Sequence, residues 1–149
     1  MVSLEKVPLA HFGVIVAEPK IIPVAGGDVR HGLSSTDDVF NGFGEAYFSN
    51  VAYGAVKAWK KHTRLTMNLL VPVGLVEFVF VNPKDGVFAS IEVGERAYRR
   101  LTVKPNIWFG FCGLFQKTSI ILNIADMKHD ASEVKRLPTD QIQYFWGNS

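Results

Sequence analysis

One cysteine in 149 residues, Cys112, excludes an intrachain disulfide and a cysteine-built metal site. Its apolar neighbours Phe111 and Leu114 mark it as a buried small hydrophobe, not a nucleophile. Net charge is also scarce: 16 Lys and Arg against 14 Asp and Glu leave +2. Nucleic-acid binding draws on a clustered cationic excess, so no nucleic-acid partner is expected. No apolar run reaches membrane length. The longest, Leu65 to Val81, is interrupted by Asn68, Pro72 and Glu77, and no membrane span is expected. Residues Met1 to Lys6 lack the basic start and apolar core of a signal peptide, so a soluble cytoplasmic protein is expected. Also missing are a Gly-x-Ser-x-Gly elbow, a glycine-rich phosphate loop, tandem repeats and sustained helical periodicity.

What is present is a folded chain. Hydrophobic residues make up 48% and aromatics 12%, which predicts one domain spanning residues 1–149. Short runs separated by Gly and Pro turns predict strands at Val7 to Ala10, Val14 to Ala17, Ile21 to Val24 and Glu45 to Val51. Further strands are expected at Val56 to His62, Leu65 to Val71, Leu75 to Val81, Val87 to Val93, Ala97 to Val103, Trp108 to Phe111 and Ser119 to Ile124. Ala25 to Asp28 reads as a loop, and Ser34 to Asp38 carries N-cap chemistry for a short helix over Asp37 to Asn41. Asp126 to Leu137 reads as a polar, irregular tail, and Thr139 to Trp146 as an aromatic segment packed back on the sheets. The pattern predicts an all-β sandwich or barrel.

Chemistry concentrates in Lys57-Ala58-Trp59-Lys60-Lys61-His62-Thr63-Arg64, which reads either as a solvated strand edge or as a cationic mouth. Regular alternation would put Lys60 and His62 on one face and Lys57 and Lys61 on the other. In the next strand Leu65, Met67 and Leu69 alternate with Thr66 and Asn68. His62 titrates near neutrality and is a candidate acid or base. Lys60 is either a base with a depressed pKa or a fixed cation for an oxyanion or phosphate. A metal would need a His-x-His pair, but Lys60 occupies its first position, and no metal or other cofactor is expected.

Four stretches carry a family resemblance. Gly54 to His62 (GAVKAWKKH) resembles a G-x-V-K-A-W-H-x-H motif, and Val103 to Phe111 (VKPNIWFGF) resembles V-P-P-G-x-x-H-G-F. Ile121 to Ile124 (ILNI) and Arg136 to Asp140 (RLPTD), with Tyr144 and Trp146 after it, resemble two further motifs. Asp28-Val29-Arg30 is similar to a D-x-R-G motif, with His31 before Gly32. These are motifs of the dTDP-4-dehydrorhamnose 3,5-epimerases, in particular of a shorter subgroup. The resemblance implies a cupin-type double-stranded β-helix (a jelly-roll barrel) with short N-terminal strands, and a homodimer that exchanges strands near Met1 to Ala10. It implies an isomerase acting on a dTDP-linked 4-keto-6-deoxyhexose, in deoxysugar and polysaccharide biosynthesis, by proton abstraction alpha to the ketone. Lys60 and His62 are the catalytic candidates. Arg30 and Lys57 fall where the family's cations meet the diphosphate, and Tyr47, Trp59, Thr66, Asn68, Trp108 and Asn123 are further substrate-binding candidates. The sequence departs from the family where Lys60 and Phe109 replace histidines and Asn123 replaces a tyrosine. The alternatives are a catalytically degenerate barrel that binds a sugar nucleotide or a protein partner, and a metal-dependent oxygenase of the same fold.

Overall fold

Runs of β-branched and aromatic residues punctuated by Gly, Pro and Asn favour extended backbone, and the computed structural model, which describes residues 3–147, is built from strands. In chain order they are β1 (Glu5–Lys6), β2 (Ile15–Ala17), β3 (Ile21–Val24), β4 (Gly27–Arg30), β5 (Glu45–Val51), β6 (Val56–His62) and β7 (Met67–Val73). They continue with β8 (Leu75–Val81), β9 (Val87–Gly94), β10 (Arg100–Val103), β11 (Trp108–Gly113), β12 (Ser119–Ala125) and β13 (Val134–Arg136). One sheet has the order β1-β9-β8-β11-β6-β13, a second β2-β10-β7-β12-β5, and β3 and β4 form a separate ribbon.

The two large sheets share a core. Phe78, Phe80, Val93 and Phe109 from the first meet Leu69, Val71, Leu101, Val103 and Ile121 from the second. Phe78, Phe80 and Leu101 are fully buried, and each contributes about 1.5–3 kcal/mol relative to exposure. Leu65, Met67 and Leu69 point into this core as their alternation predicts, while Thr66 and Asn68 take the opposite face. A second cluster lies on the far side of the first sheet, where Trp59, Val79 and Val81 are covered by Leu137, Ile142, Tyr144 and Trp146 of the C-terminal segment.

Four sequence expectations need correction. Val7 to Ala10 is not a strand: a 3-10 turn covers Leu9–Phe12 and the edge strand is Glu5–Lys6, paired in parallel with β9. The loop at Ala25 to Asp28 is shorter than expected, because β4 begins at Gly27. No helix forms over Asp37 to Asn41. The Asp37 carboxylate accepts from Ser34 N (2.8 Å) and from Arg100 Nη1 (2.9 Å), so a local turn and a long-range ion pair take up the capping group. The tail is not irregular throughout: Val134–Arg136 pairs antiparallel with β6.

Candidate active site

The strand β6 carries the basic run, and its geometry is set by a β-bulge. Phe109 of β11 lies opposite Lys60, Gly110 opposite Ala58 and Phe111 opposite Lys57. Ala58 and Trp59 therefore share one partner, Gly110, and the alternation slips by one residue. Cross-strand partners share a face, so Lys57 sides with Phe111 and Lys60 with Phe109, both of which pack on the core between the sheets. The expected separation of Lys57 from Lys60 and His62 is thus corrected. The bulge turns Lys57 and Lys60 toward one cleft and sends Trp59 to the other side. Only glycine fits opposite it, since a Cβ on Gly110 would lie 2.6 Å from Ala58 Cβ and 3.0 Å from the Trp59 ring.

The cleft has two adjoining pockets, or lobes, whose linings share Lys60 and Arg136. The first, of about 540 Å³, is also lined by Ser49, Asn50, Lys57 and Phe111. The second, of about 430 Å³, adds Glu45, Tyr47, His62 and His129. Lys60 and His62 come from the six-stranded sheet and Tyr47 from the five-stranded one, so they face each other across the opening.

His62 is the most constrained of these groups. It is 5% exposed, stacks on Phe109 at 6.0 Å between ring centroids, and its Nδ1 meets Glu133 Oε1 at 2.5 Å. The other Glu133 oxygen accepts from the backbone N–H groups of Thr63, Arg64 and Leu65 at 3.1, 3.2 and 3.3 Å. Burial pushes the Glu133 carboxyl up, but the His62 bond and the backbone donors outweigh it and hold the group below the ordinary carboxylate range. A carboxylate on Nδ1 fixes the proton there and leaves Nε2 with its lone pair; Nε2 is buried without a hydrogen-bond partner among the described residues. Burial lowers the His62 pKa, with Lys60 and Arg136 acting in the same direction and Glu133 against them. Lys60 is lowered too, by burial first and then by the Arg136 charge, with Glu133 opposing. Its ammonium lies 5.7 Å from the Phe109 ring centre.

Across the cleft, Asn123 is 3% exposed and its Nδ2 donates to the Tyr47 hydroxyl at 3.0 Å. The two residues are direct partners in the β5–β12 ladder, so the sheet itself fixes their meeting.

The structure gathers Lys57, Lys60, His62, Tyr47 and Asn123, and does not bring the other candidates to this place. Trp59 borders the first lobe, but it is 1% exposed and packed against the tilted Trp146 ring, so its ring is closed off from the cleft. Trp108 lies on the outer side of its sheet with Lys61 Nζ 5.1 Å from its ring centre. Thr66 and Asn68 point away from the core. The Thr66 N–H donates to Asp126, and Asn68 accepts from Thr102 at 2.7 Å. Arg30 is held at the β3–β4 ribbon by Asp28 and the Glu95 carbonyl, with the Tyr98 ring beneath it. Sequence reasoning missed Glu133 and Arg136 as site residues. Each sits in the segment read as an irregular tail, far from His62 in sequence, and pairing of β13 with β6 brings them in.

No protein-family model and no curated protein matches the chain significantly. Solved structures do. The chain is 33% identical to a dTDP sugar isomerase from Desulfovibrio desulfuricans G20, over 92% of each chain, with a TM-score of 0.84. A dTDP-4-dehydrorhamnose 3,5-epimerase from Sulfolobus tokodaii aligns at 19% identity over 89% of this chain and 81% of its own, with a TM-score of 0.77. A sugar 3,4-ketoisomerase from Thermoanaerobacterium thermosaccharolyticum, in complex with TDP, aligns at 18% identity over 87% of this chain and 92% of its own, with a TM-score of 0.72. The last two share the fold.

Proposed function

The chain belongs to the dTDP sugar isomerases, and from that premise we propose that it isomerises or epimerises a dTDP-linked 4-keto-6-deoxyhexose, as the dTDP-4-dehydrorhamnose 3,5-epimerases do. The observation that carries this reading is the oriented His62–Glu133 pair facing Tyr47 across a cationic cleft. A proton alpha to the C4 ketone passes to His62 Nε2, and Glu133 stabilises the imidazolium that forms. The C–H electron pair becomes the enolate, whose oxygen carries the developing negative charge beside the Lys60 ammonium. The Tyr47 hydroxyl, held by Asn123, returns a proton to the opposite face. Exchange with solvent then restores Tyr47 and His62. Lys57 and Arg136 lie at the same cleft as cations for the diphosphate.

In this reading the departures from the family pattern make one consistent set. Phe109 gives up a histidine and instead buries His62, keeping it neutral at working pH. Lys60 serves as a fixed charge, so the base role moves two residues along the strand. Tyr47 sits beside Asn123, where the family's tyrosine is missing, and supplies a hydroxyl from the neighbouring strand.

The reading extends to a single cupin-type jelly-roll domain working in the cytoplasm in deoxysugar synthesis, and to a homodimer. Ile15, Val16, Ile21, Ile22, Val24 and Val29 are exposed on β2 and the β3–β4 ribbon, an apolar surface suited to a second copy. Sedimentation measures the dimer.

The substrate class is tested by thermal melting with dTDP and dTDP-glucose. A hundredfold excess over the dissociation constant stabilises the folded state by about 2.7 kcal/mol, a rise of about 5–10 °C for a chain of this size. No rise with either compound overturns the nucleotide-sugar assignment.

A further inference from the structure

The bulge at Ala58–Trp59 is gripped from behind by the C-terminal segment. Trp59 and Leu137 exchange backbone hydrogen bonds of 3.2 and 3.0 Å. The Thr139 hydroxyl donates to the Ala58 carbonyl at 2.8 Å, and Trp59 Nε1 donates to the Thr139 carbonyl at 3.3 Å. Beyond a short turn at Thr139–Gln141, Ile142, Tyr144 and Trp146 alternate inward while Gln141, Gln143 and Phe145 face solvent. Trp146 rests on Trp59 with ring centroids 5.3 Å apart, and Tyr144 meets Trp146 edge-on at 4.8 Å. The far end is tied to Glu77, only 7% exposed, which accepts from the Tyr144 hydroxyl at 2.6 Å and from Gly147 N at 3.0 Å. The residue immediately before this segment, Arg136 at the end of β13, lines the cleft.

We infer that residues 137–147 form a strap that positions the cationic half of the cleft, with Thr139 and Trp146 as its positioning residues. A β-bulge leaves unpaired backbone that must be satisfied from outside the ladder. Here Leu137 carries the β13–β6 ladder on to Trp59, the Thr139 hydroxyl satisfies the Ala58 carbonyl from outside the ladder, and the strap fills the space behind the displaced tryptophan. Without the strap, the cluster around Trp59 loses Leu137, Ile142, Tyr144 and Trp146, and the slip that faces Lys57 and Lys60 the same way loses their support. The His62–Glu133 pair is held separately, by the backbone of Thr63 to Leu65. The strap therefore sets where the anionic part of the substrate sits, while leaving the base in place.

The inference rests on the assignment of Lys57 and Arg136 to the diphosphate, and the test separates the two. The dissociation constant of dTDP is measured by calorimetry well below the melting point for wild type, Trp146→Ala, Trp146→Phe and Thr139→Val. Trp146→Ala is expected to weaken dTDP binding about tenfold, because ångström-scale misplacement of a binding group is costly. Trp146→Phe is expected to recover most of the loss, and Thr139→Val to weaken binding about threefold, having lost one hydrogen bond. A purely structural strap would lower the melting point and leave the affinity of the folded protein unchanged; that result overturns the inference. If Trp146→Ala does not fold, Thr139→Val decides, since it removes one hydroxyl. A wild-type protein that binds no dTDP refutes the substrate class instead. The backbone amide spectrum still tests the strap without ligand. Signals of Lys57 to Lys60 must move in Thr139→Val while the His62 ring signals stay, and unmoved Lys57 to Lys60 signals refute it.

Discussion

Replacing Glu133 by glutamine keeps the shape of the buried side chain and removes its charge. One Glu133 oxygen faces three backbone N–H donors and the other faces His62 Nδ1. A glutamine oxygen must take the backbone side, because an NH2 there would face donors alone. Its NH2 then points at His62 Nδ1, which must become an acceptor, and the imidazole proton moves to Nε2. The atom assigned to proton abstraction is blocked. General-base catalysis is worth about 10²–10⁴-fold, so kcat in Glu133→Gln should fall within that range, with little change in KM. Loss of charge assistance in a buried network costs about 1.5–3 kcal/mol, and the melting point should drop by about 3–12 °C. The assay is turnover of a dTDP-4-keto-6-deoxyhexose alongside melting. A folded Glu133→Gln protein with wild-type kcat refutes the pair as the base, whatever its stability.

Three further outcomes follow from the same geometry. Tyr47→Phe should still let substrate protons wash into deuterated water while losing inversion, because abstraction is separate from return; NMR of the recovered sugar shows whether exchanged carbon is inverted, and full inversion would remove Tyr47 from the mechanism. Burial lowers the folded-state pKa of His62 below the ordinary 6.5, so the unfolded chain takes up its proton first as pH falls. Stability contributed by neutral His62 is complete above about pH 6.5 and is lost below it, and the acid limb of kcat/KM should lie below pH 6.5; melting and rate profiles from pH 8 to 5 check both, and a limb above 6.5 contradicts the assignment. Gly110→Ala should destabilise by about 1–3 kcal/mol, the cost of overpacking, as its Cβ meets Ala58 and Trp59; an unchanged denaturation midpoint would show that the bulge can relax.

Much of the fold was legible because strand chemistry is local. Ile21–Val24, Glu45–Val51, Val56–His62 and Leu75–Val81 fall where β-branched runs and turn residues put them. The helix expected over Asp37 to Asn41 failed because local capping chemistry cannot reveal that Arg100, 63 residues away, claims the Asp37 carboxylate. The site was legible in part. His62 and Lys60 stood out as titratable groups on one predicted strand, and Tyr47 as an aromatic of a second. Their grouping with Lys57 was hidden, because a bulge that shifts alternation by one residue leaves no periodic signal beyond a glycine in the partner strand. Glu133 was hidden for a different reason. Among polar neighbours it looks like a solvated acid, and only the return of β13 along β6 buries it against His62. Trp59 and Trp108 illustrate the reverse error: flat aromatic surfaces suited to a ligand were taken up in packing behind the sheet.

The central claim is that His62 removes a proton alpha to the ketone of a nucleotide-linked sugar. The most direct measurement is proton NMR of dTDP-4-keto-6-deoxyglucose in deuterated water with wild type and with His62→Asn. The account predicts loss of the signal from a carbon alpha to the ketone with wild type, and exchange slowed about 10²-fold or more in His62→Asn. Exchange at the same rate in both proteins, or dTDP binding with no exchange in wild type, would contradict it.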